Sequence, residues 1–264
     1  NSWECSTVPY LLVFDTFIKQ MESILKLGIN HLMLSWTLGG YPSPNIKLVS
    51  EAFFLENGKI NPDYENGLKM LYGDRADKVR EATNIFSEAF REFPFDVGVL
   101  YNGPQNAGVS NPLYRTPTGY TATMTCFSYD DIESWRSIYP ADILEDQFKK
   151  VSEQWRNGLN ILDENMGELY DIAYVSYSLF RSSYNQIKFI RLRDKYLHSG
   201  FKEIADELAA VVSEEKEIAV KVYEIMLRRP EIGFEAANHY YYSTQTVLEK
   251  IVNCEFLIRY YKAC

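Results

Sequence analysis

The chain has 264 residues, a formal net charge of -9, 46% hydrophobic and 24% charged residues, which is the composition of a folded globular protein. An acidic surface attracts neither nucleic acid nor anionic lipid, so both are excluded as partners on charge grounds, and no apolar run reaches the ~18 residues of a bilayer-spanning helix. Aromatics reach 15%, with 20 Tyr; a Tyr-rich surface suits sugars and peptides, although Tyr also fills helix interfaces.

The opening, "NSWECSTVPY", has no initiator Met and no secretory apolar stretch, and it sets Trp3, Glu4 and Cys5 where termini are ordinarily polar. It reads as the interior of a longer protein. Residues 10 to 27, "YLLVFDTFIKQMESILKL", space their apolar side chains as a helical stripe that Gly28 stops. "INHLMLSWTLGG" then reads as a buried strand ending in two glycines. "SPNIKLVSEAFF" reads as a further helix with Ser43 or Asn45 as its N-cap. Helix, buried strand, loop and helix make one repeat of an α/β layer. A strand buried on both faces needs hydrogen-bonded neighbours, and the sequence offers none downstream, so the partners are expected upstream.

From residue 76 the pattern changes. "ADKVREATNIFSEAFREF" is an amphipathic helix ended by Pro94, and residues 95–129 are rich in Gly, Pro, Asn and Thr, as a long ordered loop or a small β-excursion would be. Long amphipathic helices follow, from Pro140, over 169–198 up to Gly200, over 201–229 up to Pro230, and over 235–263. Lengths of this kind with short joints fit an antiparallel bundle. The expected fold is mostly α: an antiparallel helical bundle over 76–264, with a loop-rich insertion at 95–129, preceded by a short α/β segment over 1–75.

Cys5, Cys126, Cys254 and Cys264 show no C-x-x-C spacing, and there are 3 His, so no metal site is expected. Free thiols point to a reducing, cytoplasmic setting. There is no Walker A loop, G-x-G-x-x-G, G-x-S-x-G or H-E-x-x-H, and no cofactor is expected. His31 at a strand start and His198 at a helix end read as structural.

Four stretches do not look like helix packing: "NSWE" at 1–4, "SWTLGGYPSP" at 35–44, "VLYNGPQNAG" at 99–108 and "GFEAANHYYY" at 233–242. Together with "FSEAFREFPFDVGVLYNGPQ" and "FSYDDIESW", they resemble the C-terminal part of bacterial glycoside-hydrolase-like proteins built on a (β/α)8 barrel. The resemblance implies that 1–75 is the end of such a barrel, that the helices are an appended domain, and that the partner is carbohydrate. It also implies a catalytic role for Glu4, at the place where many retaining barrel glycosidases carry their nucleophile. The second carboxyl such chemistry needs, roughly 5–5.5 Å away, would come from a strand absent here, so this chain alone is expected to be inactive.

Trp36 and Tyr41 flank the glycines and could stack on a pyranose, or Trp36 could plug the barrel top; Trp3 is a similar case. Asn102 and Gln105 have the character of a binding loop. Glu235, Asn238 and His239 fall on one face if Glu235 opens the last helix. They then form a structural hydrogen-bond cluster or a sugar-binding edge, two ligands being too few for a metal. The alternative to a carbohydrate-active protein is a non-catalytic helical module for protein contact or homo-oligomerisation.

Overall fold

The computed structural model describes residues 7–29, 31–32, 43–56, 59–123, 128–233 and 242–264. Among these residues the protein is mostly helical, as the apolar spacing predicts, with one antiparallel hairpin. Residues 8–13 thread the core in neither helix nor strand, and every one of them is buried. Tyr10-Leu11-Leu12-Val13 has no polar face to offer solvent, so the helix expected from residue 10 begins only at Phe14. Asn45 Nδ2 donates to Leu11 O (2.8 Å), Gly233 N donates to Thr7 O (2.8 Å), and Tyr10 OH donates to Glu168 Oε1 (2.7 Å).

Helix α1 (Phe14–Lys26) is followed by α2 (Pro44–Ala52), whose N-cap is Ser43; its side chain accepts from Asn45 N. The helix read as far as Phe54 stops at Ala52. Strands β1 (Phe53–Glu56) and β2 (Lys59–Pro62) follow, paired antiparallel from Phe53 opposite Pro62 to Glu56 opposite Lys59. This hairpin was not expected, although two residues of type Asn-Gly, here Asn57-Gly58, are the strongest short-range hairpin signal. Asp63 then caps α3 (Tyr64–Tyr72) by accepting from Asn66 N. Of the strand expected over 29–38, residues 30 and 33–38 lie outside the described residues, while Ile29 and Leu32 are exposed.

The remaining elements are α4 (Ala76–Phe90), the short α5 (Val97–Asn102), α6 (Ala141–Leu159), α7 (Glu168–Ser199), α8 (Lys202–Met226) and α9 (Thr244–Lys262). Helices α4 and α6 run antiparallel, since Lys78 meets Asp163 near one end and Phe86 meets Trp155 further along. The same logic holds for α6 and α7, through Glu145 with Arg191 and Arg156 with Tyr177. It holds again for α7 and α8, through Asp171 with Arg228 and Arg181 with Glu214. Gly200 ends α7 in the left-handed conformation (φ 66°), where a side chain would be strained.

The last helix corrects the sequence reading. Its first residue is Thr244, not Glu235, because Ser243 and Thr246 form a reciprocal cap: Ser243 Oγ accepts from Thr246 N, and Thr246 Oγ1 accepts from Ser243 N.

The interior holds an ion pair. Glu215 on α8 and Lys250 on α9 are both 0% exposed and lie 3.1 Å apart. Glu215 also accepts from Ser182 Oγ and Asn185 Nδ2 on α7, and Lys250 Nζ donates to Asn111 O. Asn111 Nδ2 in turn donates to Gln186 Oε1, while Gln186 Nε2 donates to Gly108 O (3.1 Å). One charge pair thus joins three helices and the turns after α5. Removing one member of such a pair strands the other, at about 3–5 kcal/mol, whereas replacing both with apolar groups is often neutral. Lys250→Met is therefore expected to destabilise the protein by about 3–5 kcal/mol in urea titration, and Lys250→Met/Glu215→Leu to recover only part of that loss, because Asn185 Nδ2 and Asn111 O then lose the partners that the pair gives them. A single variant as stable as the parent would contradict this placement of the charges.

Candidate functional site

Where the C-terminal end of α6 meets the first half of α7 and the middle of α8, a cleft of about 410 Å³ opens, within the ~300–1,000 Å³ range of small-molecule sites. The packing beneath it fixes its walls. Trp155 on α6 is fully buried, and its Nε1 donates to Ala173 O on α7 at 2.9 Å. Its ring stacks on Phe86 (centroids 4.5 Å) and meets Phe180 edge-on (5.2 Å). Gly158, one turn along, lets α4 come close: a Cβ there would lie 2.6 Å from the Phe86 ring. With Trp155 turned inward, its neighbour Arg156 faces the cleft.

Tyr170, Tyr174 and Tyr177 stand at i, i+4 and i+7 on α7, one helical face, with successive ring centroids 6.4 and 5.8 Å apart. Tyr170 and Tyr174 are half-buried and Tyr177 is buried. The Arg156 guanidinium lies 5.9 Å from the Tyr177 ring. Across the cleft, α8 contributes Glu214, Glu217 and Ile218. Glu214 is held by a two-bond fork from Arg181, Nε to Oε1 at 2.8 Å and Nη2 to Oε2 at 3.0 Å, and Arg181 lies 4.5 Å over the Tyr184 ring. Glu217 is exposed.

Burial raises all three phenols above their ordinary range, and Tyr174 is pushed higher still by Tyr177 and Tyr170 beside it. The raised phenols stay neutral well into alkali, able to donate and accept hydrogen bonds while offering aromatic faces. The cleft lining contains neither His nor Cys. The lining can offer stacking from the half-buried Tyr170 and Tyr174, donation from Arg156, and acceptance by Glu217 and by the remaining lone pairs of Glu214.

Of the residues the sequence points to, Trp3, Glu4, Trp36, Tyr41, Glu235, Asn238 and His239 lie outside the described residues. Asn102 ends α5 and is half-buried. Gln105 is fully buried, its Nε2 donating to Val99 O (2.7 Å) and Leu100 O (3.4 Å). Its amide holds the turn after α5 together, and neither residue lines the cleft. The 95–129 stretch contains α5 and two 3-10 turns, Pro104–Asn106 and Gly108–Ser110, laid against α7. Sequence reading overlooked the tyrosines because three Tyr at helical spacing look like interface packing; the signal that marks them is Arg156 and two Glu converging from other helices.

Among the described residues no group of His, Cys, Asp and Glu could hold a metal ion, and no helix is long and apolar enough to cross a membrane. No protein-family model matches the chain, and no curated protein or solved structure matches it either.

The walls of the cleft depend on the close α4–α6 approach at Gly158. Gly158→Ala should cost about 1–3 kcal/mol, as overpacking does, and should broaden or shift the NMR signals of residues 156–162. Full retention of stability would mean that Phe86 has room the geometry does not show.

Proposed function

We propose that the chain is the C-terminal region of a carbohydrate-active protein of glycoside-hydrolase-like type, and that its helical part carries a sugar-binding cleft between α6, α7 and α8. The observation that supports this is the composition of the cleft. Tyrosine faces match the apolar C–H side of a pyranose, and a guanidinium and carboxylates beside them match its hydroxyls. In this reading the antiparallel helical bundle is an appendage, residues 1–75 are the end of a (β/α)8 barrel, and Glu4 serves the chemistry of the longer protein. In this reading the helical cleft binds and orients the sugar. Cys254 and Cys264 are both free, in keeping with the reducing cytoplasmic setting proposed for it.

The test is an NMR titration of the 264-residue chain with neutral β- and α-linked oligosaccharides. Saturable shifts are expected at residues 156–177 and 214–218. Tyr174→Ala should weaken binding about 2- to 10-fold, the contribution of one aromatic contact. Because burial raises the phenols, binding should be unchanged from neutral pH up to about pH 10, the ordinary phenol value, and fall only above it. No saturable response from any oligosaccharide, or shifts confined to other faces, would overturn the reading.

A further inference from the structure

Helix α9 has two faces of different character. Val247, Lys250, Cys254, Leu257 and Tyr261 are buried, a stripe spaced three and four apart that packs onto the rest of the protein. On the opposite side Leu248, Val252 and Phe256, each four residues from the next, are 42%, 68% and 55% exposed. Single exposed apolar residues are ordinary. A continuous line of three along one helix face is a patch that wants covering.

The charges along that line say what covers it. Glu249 and Arg259 are exposed and stand on the same face, Glu249 before the apolar centre and Arg259 after it. When two copies of one helix pack antiparallel about a two-fold axis, each residue shares a level with the residue equally far on the other side of the axis. With the axis at the level of Cys254, Val252 shares a layer with Phe256 of a second copy, twice by symmetry. The next layer outward on each side sets Glu249 against Arg259 of the other copy.

The angles agree with the levels. Cys254 is buried and points away from the seam. At 100° per residue, Val252 and Phe256 then lie about 20° to either side of the seam's centre, and Glu249 and Arg259 about 40°. All four belong to the contact face, and the two charges close the apolar centre at both ends. Leu248, about 60° off centre on the Arg259 side, comes alongside the aliphatic stem of the second copy's Arg259. Glu255 falls on the flank near its own counterpart, but Lys216 (2.6 Å) and Arg259 (3.0 Å) of its own chain already hold it. Arg259, 77% exposed, can therefore lie between Glu255 of its own helix and Glu249 of the other.

We propose that this face of α9 binds a second copy of the chain, as an antiparallel two-fold helix pair centred at the level of Cys254. A seam along one helix of 19 residues, about 28 Å long at 1.5 Å per residue, is below the area of a permanent dimer. The association is therefore reversible and in the micromolar range. This inference is independent of the cleft, which lies on other helices.

Sedimentation velocity of the 264-residue chain over a concentration series tests it, with circular-dichroism melts as a folding control. The parent should pass from monomer to dimer as concentration rises, and Phe256→Asp should remain monomeric with an unchanged melt. Glu249→Arg and Arg259→Glu should each weaken self-association about tenfold or more. An equal mixture of these two variants should dimerise again. In the mixed pair each outer layer sets one arginine against one glutamate: the two substituted positions face each other, and so do the two unchanged ones. A parent that stays monomeric throughout overturns the proposal. So does a dimer indifferent to Phe256→Asp, or a mixture no better associated than its two components.

Discussion

A lysine ammonium and a glutamate carboxylate, both without exposed surface, lie 3.1 Å apart between α8 and α9, and much of the helical packing follows from the need to satisfy them. Taking a charge out of water is costly enough that each must find both an opposite charge and hydrogen-bond partners. Glu215 takes Ser182 and Asn185 from α7, and Lys250 takes the carbonyl of Asn111. These partners come from widely separated parts of the chain. A one-residue slip of α8 or α9 would rotate a charge by about 100° and leave it unpaired in an apolar interior. We read the pair as a pin for register, because a hydrophobic core alone tolerates repacking more readily.

That register carries through to the cleft. Ser182 and Glu215 face inward, and their chain neighbours Arg181 and Glu214 form the charged fork at the cleft wall. On the other side, Trp155 reaches into the core while Arg156 borders the cleft. Each wall of the cleft is thus the reverse side of a buried contact. Preorganisation of this kind lowers the entropy lost on binding. The two arginines of the α7–α8 seam at its other end, Arg228 and Arg229, converge on Asp171, which ties the first turn of α7 beside Tyr170.

Local signals were legible where one residue decides the matter. Ser43, one of the two caps the sequence offers, caps α2, Gly200 stops α7 as the sequence indicates, and the mostly helical class follows from the long periodic stretches. The signal was ambiguous where two local rules compete. Asn57-Gly58 marks a hairpin, but the helical spacing of residues 43–54 runs up to it without a break. Ser243 with Thr246 marks a helix start, but the aromatic run before them continues a helical period. The cleft was not legible, because it is made by α6, α7 and α8 meeting over separations of up to 62 residues between Arg156 and Ile218. Gln105 shows how composition underdetermines a role: a polar residue in a Gly- and Pro-rich loop looks like a ligand contact, and in the fold its amide nitrogen donates to carbonyls of the preceding turn.

Amide hydrogen exchange read by mass spectrometry tests the pinning role of the buried pair most directly. If Lys250 and Glu215 hold α7, α8, α9 and the turns at 104–113 in one register, amides in these four segments should be protected together in the parent. They should also lose protection together in Lys250→Met, with the 104–113 turns among the first to exchange. If the 104–113 amides exchange freely in the parent, or if Lys250→Met loosens α9 alone, the pair does not join these elements and the account is wrong.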